Sequence, residues 1–348
     1  MTSCLDQTWG VAYSRVAIRL NPLFDQTFWN IMTRIVFMGS PAEVIAPLRA
    51  VYEEGESVGA YLVGIVSQPA RPAGRGGKLL DPPVALFGKE HSVPTLQPES
   101  AKDVTFLEQL KELKPDVIVT AAYGQILSEE FLKIPRVATI NIHPSLLPAF
   151  RGATPVPAAL LDGLDVTGVT ILFTVKQLDA GNIILQKSFP VGPRENAGEL
   201  TNRLFRESGP MLLDVLALLA KEPNFKGTPQ NSEQATFCRK ISKEMGQVNW
   251  SDSAKNIINR HRAFQPWPGS MTKLGDRLVA ITDMDLGNTD ETTTSPGLMS
   301  YEKVAGALMV CCGRGHILIR RLKPAGGKEM DAAAFWNGLR DRSNPRLG

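Results

Sequence analysis

Residues 137–148, VATINIHPSLLP, decide how this 348-residue chain is read. Val137–Ile142 is an apolar run of strand length, and side chains alternate across a strand, so Asn141 and His143 project from one face while Ile140 and Ile142 project from the other. The run passes directly into Pro144-Ser145-Leu146-Leu147-Pro148, which sets both polar residues at the carboxyl end of the strand. Open parallel sheets hold their ligands at that end.

The neighbouring sequence supplies the sheet. Asp116–Ala121 (DVIVTA) is a second continuous apolar strand, too apolar to have one face in water, and Ile35–Met38 and Tyr61–Ser67 are similar runs. Helical patterns ending near Glu54, starting near Pro83, and spanning Ala101–Leu113 and Ala153–Leu161 alternate with them. Two further strands, Val169–Val175 and Asn182–Ser188, precede a long helix at Ala197–Lys221. Alternation of this kind predicts an α/β fold, a Rossmann-like, mostly parallel sheet covered by helices on both sides, over residues 32–221.

Residues 222–238 open on EPNFKGTPQNSE, which has Pro, Gly and Asn without a period and reads as a linker. Beyond it a helix at Asp252–Ala263 and short runs at Leu278–Ile281, Lys303–Leu308 and His316–Arg321, separated by turns, predict a small OB-like β-barrel over residues 239–348. Residues 1–31 carry no targeting pattern and precede the first apolar strand, so they are expected to be an extension outside the fold and dispensable.

With 43% apolar and 21% charged residues, disorder and collagen are excluded, and two domains can each have a core. No long uncharged apolar run is present, which argues for a protein that does not cross a membrane. Cys4, Cys238, Cys311 and Cys312 have neither disulfide-framework nor zinc spacing, and His91, His261 and His316 lie in unrelated segments, so no metal is expected and a reducing cytoplasm fits. Residues 221–348 hold 19 Lys and Arg against 13 Asp and Glu, a surplus that suits either a solubilising surface or a polyanionic partner.

Chemistry could reside in three places. Asn141 and His143 could act on a substrate or could satisfy loop backbone; spacing alone leaves both open. Asp179, in QLDAGNII, is an acid at a glycine-containing turn, and beside His143 it would stabilise an imidazolium and orient the ring. The loop QPARPAGRGGKL carries Arg71, Arg75 and Lys78 among glycines and prolines and could bind phosphates or be solvated. The first strand ends in GSPAEV rather than GxGxxG, so a dinucleotide fingerprint is absent, and a Walker loop is missing too.

INIHPSLLPAFRGATP and LDAGN resemble the signatures of the folate-dependent formyltransferase family, and the similarity runs from Met32 to near the C terminus. QPARPAGRGGKL, KISKEMGQVNW and RAFQPWPGS resemble the branch acting on methionyl-tRNA. The resemblance implies 10-formyltetrahydrofolate as formyl donor, initiator methionyl-tRNA as acceptor, and a monomer. It implies catalytic roles for Asn141, His143 and Asp179, with protonated His143 and Asn141 donating to an oxyanion. Folate would lie along Ser145, Leu146, Leu147 and Pro148, with backbone groups reading the pterin edge. Arg71, Arg75 and Lys78, and Arg320, Arg321 and Lys323 in the second domain, would contact tRNA, Arg75 at its acceptor end. A formyltransferase acting on a sugar or nucleotide amine and a non-catalytic folate- or RNA-binding module are the alternatives. Val44, Ala149, Val175, Gln177 and Asn182 depart from the family's usual residues, while the catalytic three are intact.

Overall fold

The computed structural model describes residues 32–73, 77–290 and 295–348. The expectations for residues 1–31 and for Arg75 therefore lie outside the described residues.

The first half is a seven-stranded sheet. β1 (Thr33–Gly39) lies between β2 (Ala60–Val66) and β6 (Val117–Ala121), and β5 (Thr95–Leu96) and β7 (Ala138–His143) extend the parallel pairing on either side. β9 (Val166–Phe173) and β10 (Ile183–Pro190) join antiparallel at the β7 edge. Period two divides β1 between two cores. Ile35 and Phe37 face α1 (Ile45–Glu54) and α6 (Ala197–Lys221), whereas Val36 and Met38 face α3 (Val104–Glu112) and α4 (Glu129–Leu132). Every residue of β6 is buried, as its unbroken apolar run requires. Helix starts follow their caps: Asp103 accepts from Phe106 N at α3, which moves that start in from the expected Ala101, and Asn196 and Glu199 form a reciprocal capping box at α6.

The basic loop after β2 contains a short hairpin, β3 (Arg71–Ala73) against β4 (Lys78–Leu80). α2 (Pro83–Glu90) follows it, and β8 (Arg151–Gly152) and α5 (Pro155–Leu161) follow β7. Residues 222–238, expected as a linker, run along the first domain and supply β11 (Phe237–Cys238), which pairs in parallel with β8.

After α7 (Ala254–Ala263), the second domain has strands in the order β12 (Ser270–Leu274), β13 (Arg277–Leu286), β16 (His316–Pro324), β15 (Ala307–Cys311), β14 (Met299–Glu302), all antiparallel. β17 (Met330–Asp331) pairs with β16 and leads into α8 (Ala332–Asn337). The run expected as one strand at Lys303–Leu308 is instead a turn followed by β15, because Gly306 takes a positive φ of 61° and reverses the chain. The last residues close the barrel: Gly348 N donates to Lys273 O beside β12, while Leu347 N donates to Gly297 O and Met299 N to Pro345 O beside β14. Both edges are thereby covered. Among the described residues, no helix is long and apolar enough to cross a membrane.

Leu347 is 4% exposed and belongs to the barrel core. Leu347→Ala is expected to cost about 2–5 kcal/mol of second-domain stability, the usual range for a buried leucine truncated to a cavity. Thermal denaturation followed by near-ultraviolet circular dichroism measures it; an unchanged transition would mean that the tail does not hold the barrel shut.

Candidate active site

Asn141 and His143 share the face of β7 opposite Ile140 and Ile142, as the alternation requires. Their immediate partners set what each can do. Thr120, opposite Asn141 in the β6–β7 register, brings its hydroxyl to 2.9 Å from Asn141 Oδ1, so the amide nitrogen faces the other way. That Nδ2 donates to Asp179 Oδ1 at 3.3 Å. The second Asp179 oxygen accepts from the Gly152 amide at 2.9 Å and lies 3.7 Å from His143 Nδ1. All three residues expected from the sequence are therefore brought together.

The imidazole is oriented differently from expectation. His143 Nε2 lies 3.0 Å from the carbonyl of Phe150, closer than Nδ1 lies to the Asp179 carboxylate. A carbonyl only accepts, so Nε2 carries a proton and Nδ1 is the nitrogen left for chemistry. Phe150 has a φ of 61°, which turns its carbonyl inward; its own N–H donates to Thr236 Oγ1 at 2.8 Å. Asp179 also takes a left-handed conformation, φ 50°, in a turn that closes because Gly181 has no side chain. A Cβ there would lie 1.8 Å from the Phe173 carbonyl oxygen.

Ser145 and Leu147 are buried and committed to the loop itself. Ser145 Oγ donates to Ala149 O, Leu147 N to Thr170 Oγ1, and Gln186 Nε2 to Leu147 O. Leu146 and Pro148 are half-buried. The segment is thus a largely apolar wall in which the Ser145 hydroxyl and both backbone groups of Leu147 have partners within the domain. Ile126, on the loop leaving β6 next to Asn141, is 79% exposed and was not singled out by sequence. Thr120 and Gln230 also escaped the sequence reading; a polar residue inside DVIVTA was the only signal for the first, and for the second there was none.

The basic residues are dispersed and mostly matched. Arg71 pairs with Glu99 at 2.8 Å and Lys78 is exposed on the hairpin. On β16, Arg321 pairs with Glu329 at 2.8 Å, and Arg320 pairs with Asp285 at 2.5 Å and also donates to Ala305 O. Lys323 is exposed. A cleft of about 1170 Å³ lies where the two domains meet, lined by Arg194, Lys255, Arg262, Asp283 and Asp285 among others. None of Asn141, His143 and Asp179 lines it. Among the described residues, no group of three or more His, Cys, Asp or Glu side chains is arranged to hold a metal ion.

The chain matches the formyl transferase family over residues 33–216, and that family's C-terminal domain over residues 240–340. It is 36% identical over 315 residues to the methionyl-tRNA formyltransferase of Desulforamulus reducens, an alignment covering 90% of this chain and 98% of that protein. The methionyl-tRNA formyltransferase of Chloroflexus aurantiacus is 38% identical over 315 residues, with 90% and 99% covered. Among solved structures, HypX from Aquifex aeolicus in complex with tetrahydrofolic acid matches with a TM-score of 0.58 at 17% identity, covering 90% of this chain and 50% of that one. The chain spans about half the length of HypX. An N-formyltransferase from Helicobacter canadensis, in complex with folinic acid and dTDP-3-aminofucose, matches with a TM-score of 0.60 at 16% identity, over 83% of this chain and 99% of that one. At these identities the structural likeness is one of fold.

Burial pushes the pKa of His143 below its ordinary value, while the Asp179 charge and the Phe150 carbonyl oppose the shift without reversing it. At neutral pH the ring is uncharged. In the unfolded chain His143 takes up its proton near 6.5, and in the folded chain only at lower pH, so the unfolded state binds more protons in between and stability falls as pH drops through that window. The stability advantage of the wild type over His143→Asn should accordingly shrink between pH 7.5 and about 5. Urea denaturation at each pH measures it, and an advantage that grows on acidification would contradict a neutral buried ring.

Proposed function

This chain belongs to the formyl transferase family, and from that membership and the convergence on β7 we infer that it moves the formyl group of 10-formyltetrahydrofolate onto the α-amino group of methionyl-initiator tRNA. It would do so as a monomer in the cytoplasm. The observation carrying the reading is that Asn141, His143 and Asp179 meet at the end of β7 with one amide N–H and one imidazole nitrogen still available. The relatives that share both domains along nearly their whole length are methionyl-tRNA formyltransferases, which favours a charged tRNA over a sugar amine.

The donor supplies a formyl carbon open to attack by an amine. As the amine adds, negative charge gathers on the formyl oxygen and positive charge on the attacking nitrogen. Asn141 has one N–H on Asp179 and a second for that oxygen; one such preorganised donor contributes about 10²–10³ in rate. His143, neutral with its lone pair at Nδ1, accepts the ammonium proton, a step typically worth about 10²–10⁴. The resulting imidazolium faces Asp179 at 3.7 Å, which stabilises it until the proton passes to the departing folate nitrogen. One C–N bond replaces another and one proton crosses from amine to folate, so His143 is regenerated.

Leu146 and Pro148, with Ile126 across the strand ends, give the folate ring apolar surface; Ser145 and Leu147 keep that wall in shape. Arg71, Arg75, Lys78, Arg321 and Lys323 meet tRNA. The exposed pairs Arg71–Glu99 and Arg321–Glu329 hold little energy, so phosphates can displace the carboxylates. Arg320, held by Asp285 and the Ala305 carbonyl, is the more structural of the β16 arginines.

Incubation with 10-formyltetrahydrofolate and charged initiator tRNA, followed by deacylation, is expected to yield formyl-methionine, and Asn141→Ala should lower the rate by about 10²–10³. Folate binding with no transfer, or transfer to a sugar-nucleotide amine instead, would overturn the reading. Replacing Arg321 and Lys323 together by Ala should weaken tRNA binding and reduce the slope of log affinity against log salt by about 2, roughly one for each phosphate no longer neutralised. Binding measured across a salt series reads the slope; an unchanged slope would remove β16 from the tRNA surface.

A further inference from the structure

We infer that Gln230, on the strap joining the two domains, is a positioning residue that sets where the Asp179 carboxylate stands for formyl transfer. The inference rests on the function proposed above. Gln230 Nε2 donates to the carbonyl oxygens of Asp179 at 2.8 Å and Gly181 at 2.7 Å. Its Oε1 accepts from Arg151 Nε at 3.2 Å and Nη2 at 2.7 Å. Both amide hydrogens and the oxygen are thus in use. A flipped amide would turn its oxygen against two carbonyls and its N–H groups against a guanidinium, so only one orientation is allowed.

The loop that Gln230 grips is held otherwise by the Asp179 carboxylate, which accepts from Asn141 Nδ2 and Gly152 N, by the Phe173 N to Asn182 O bond and by an exposed Lys176–Glu129 pair. The Asp179 and Gly181 carbonyls rest on Gln230. Residues 175–178 are exposed, and Asp179 stands in a left-handed conformation whose carboxylate direction follows from the backbone. Inside the turn, the Ala180 N to Gln177 O bond is long at 3.4 Å. On its other side Gln230 holds Arg151, 6% exposed, the residue just before the Gly152 amide that donates to Asp179. One side-chain amide therefore ties together the two segments whose spacing places Asp179 beside Asn141 and His143. The strap itself is anchored two residues earlier, where Ile183 and Thr228 exchange backbone bonds of 2.8 and 2.7 Å. It is anchored again where Arg151 N donates to Thr236 O at 2.8 Å. A misplacement of about 1 Å at a reacting group costs about 100-fold in rate, and a carboxylate at the tip of a turn moves that far once its carbonyl anchors are released.

The test uses the full chain with Gln230→Met, nearly the same shape with none of the polar groups, and Gln230→Glu, which still accepts from Arg151 but cannot donate. Both should lower kcat by about 100-fold, with KM for methionyl-tRNA and for the folate donor held within about twofold. In an Asp179→Ala background, followed by single turnover, Gln230→Met should cost nothing further, because its whole effect passes through that carboxylate. The inference is overturned by unchanged kcat in Gln230→Met, by wild-type kcat in Gln230→Glu, by a loss confined to KM, or by an equal loss with Asp179 already removed, which is what general loosening of the fold would give. Failure of the wild type to formylate methionyl-tRNA would instead sink the proposed function, and this inference with it.

Discussion

A single carbonyl governs the chemistry available at the end of β7. Phe150 O accepts from His143 Nε2, and that bond decides which ring nitrogen is protonated, how the ring lies and which atom it offers to a substrate. The backbone must be left-handed at Phe150 to aim the carbonyl inward, and a non-glycine residue keeps such a conformation only when its surroundings insist on it. Here Thr236 bonds the Phe150 N–H, and Cys238 Sγ lies 3.5 Å from the same carbonyl that holds His143. Burial then keeps the ring uncharged, so the same enclosure that orients His143 also makes it a base.

Both residues that hold Phe150 come from the strap between the domains, which is tied to the first domain at β8. The second domain docks closely. Ala263 and Phe264, at the end of α7, are buried in the core of the first domain, and Arg262 donates to the carbonyls of Glu195 and Gly192 at 3.0 and 2.8 Å. Arg194 reaches across to Asp283 and Asp285 at 3.1 and 3.0 Å. The strap is therefore stretched between two fixed points, which lets Gln230, Thr236 and Cys238 act as a template on the catalytic loops rather than as a tether.

Charge is arranged in keeping with this. On β16 the neighbouring arginines of the second half are each paired, Arg320 with Asp285 and Arg321 with Glu329, and Asp283 takes Arg194 from the first domain. Pairing of this kind keeps the surface soluble and leaves attraction to a polyanion sensitive to salt, since exposed pairs give up their partners at little cost.

The alternation in VATINIH, read against two neighbouring apolar strands, was enough to predict the parallel sheet, the shared face of Asn141 and His143 and their place at a strand end. These depend on period two and on burial, which are local properties of a chain. The turn at Gly306 was missed because LysValAlaGlyAlaLeu carries strand-like residues around one glycine, and only pairing of β14 with β15 decides where the chain reverses. Closure of the barrel by residues 345–348, the inward carbonyl of Phe150 and the grip of Gln230 on Asp179 were invisible for a common reason. Each depends on a backbone group, which every residue possesses, held in place by a segment tens of residues away, as Thr236 holds Phe150, so no side-chain pattern marks them. Sequence determined which chemical groups stand on the strand; tertiary structure decided which of their atoms are free to react.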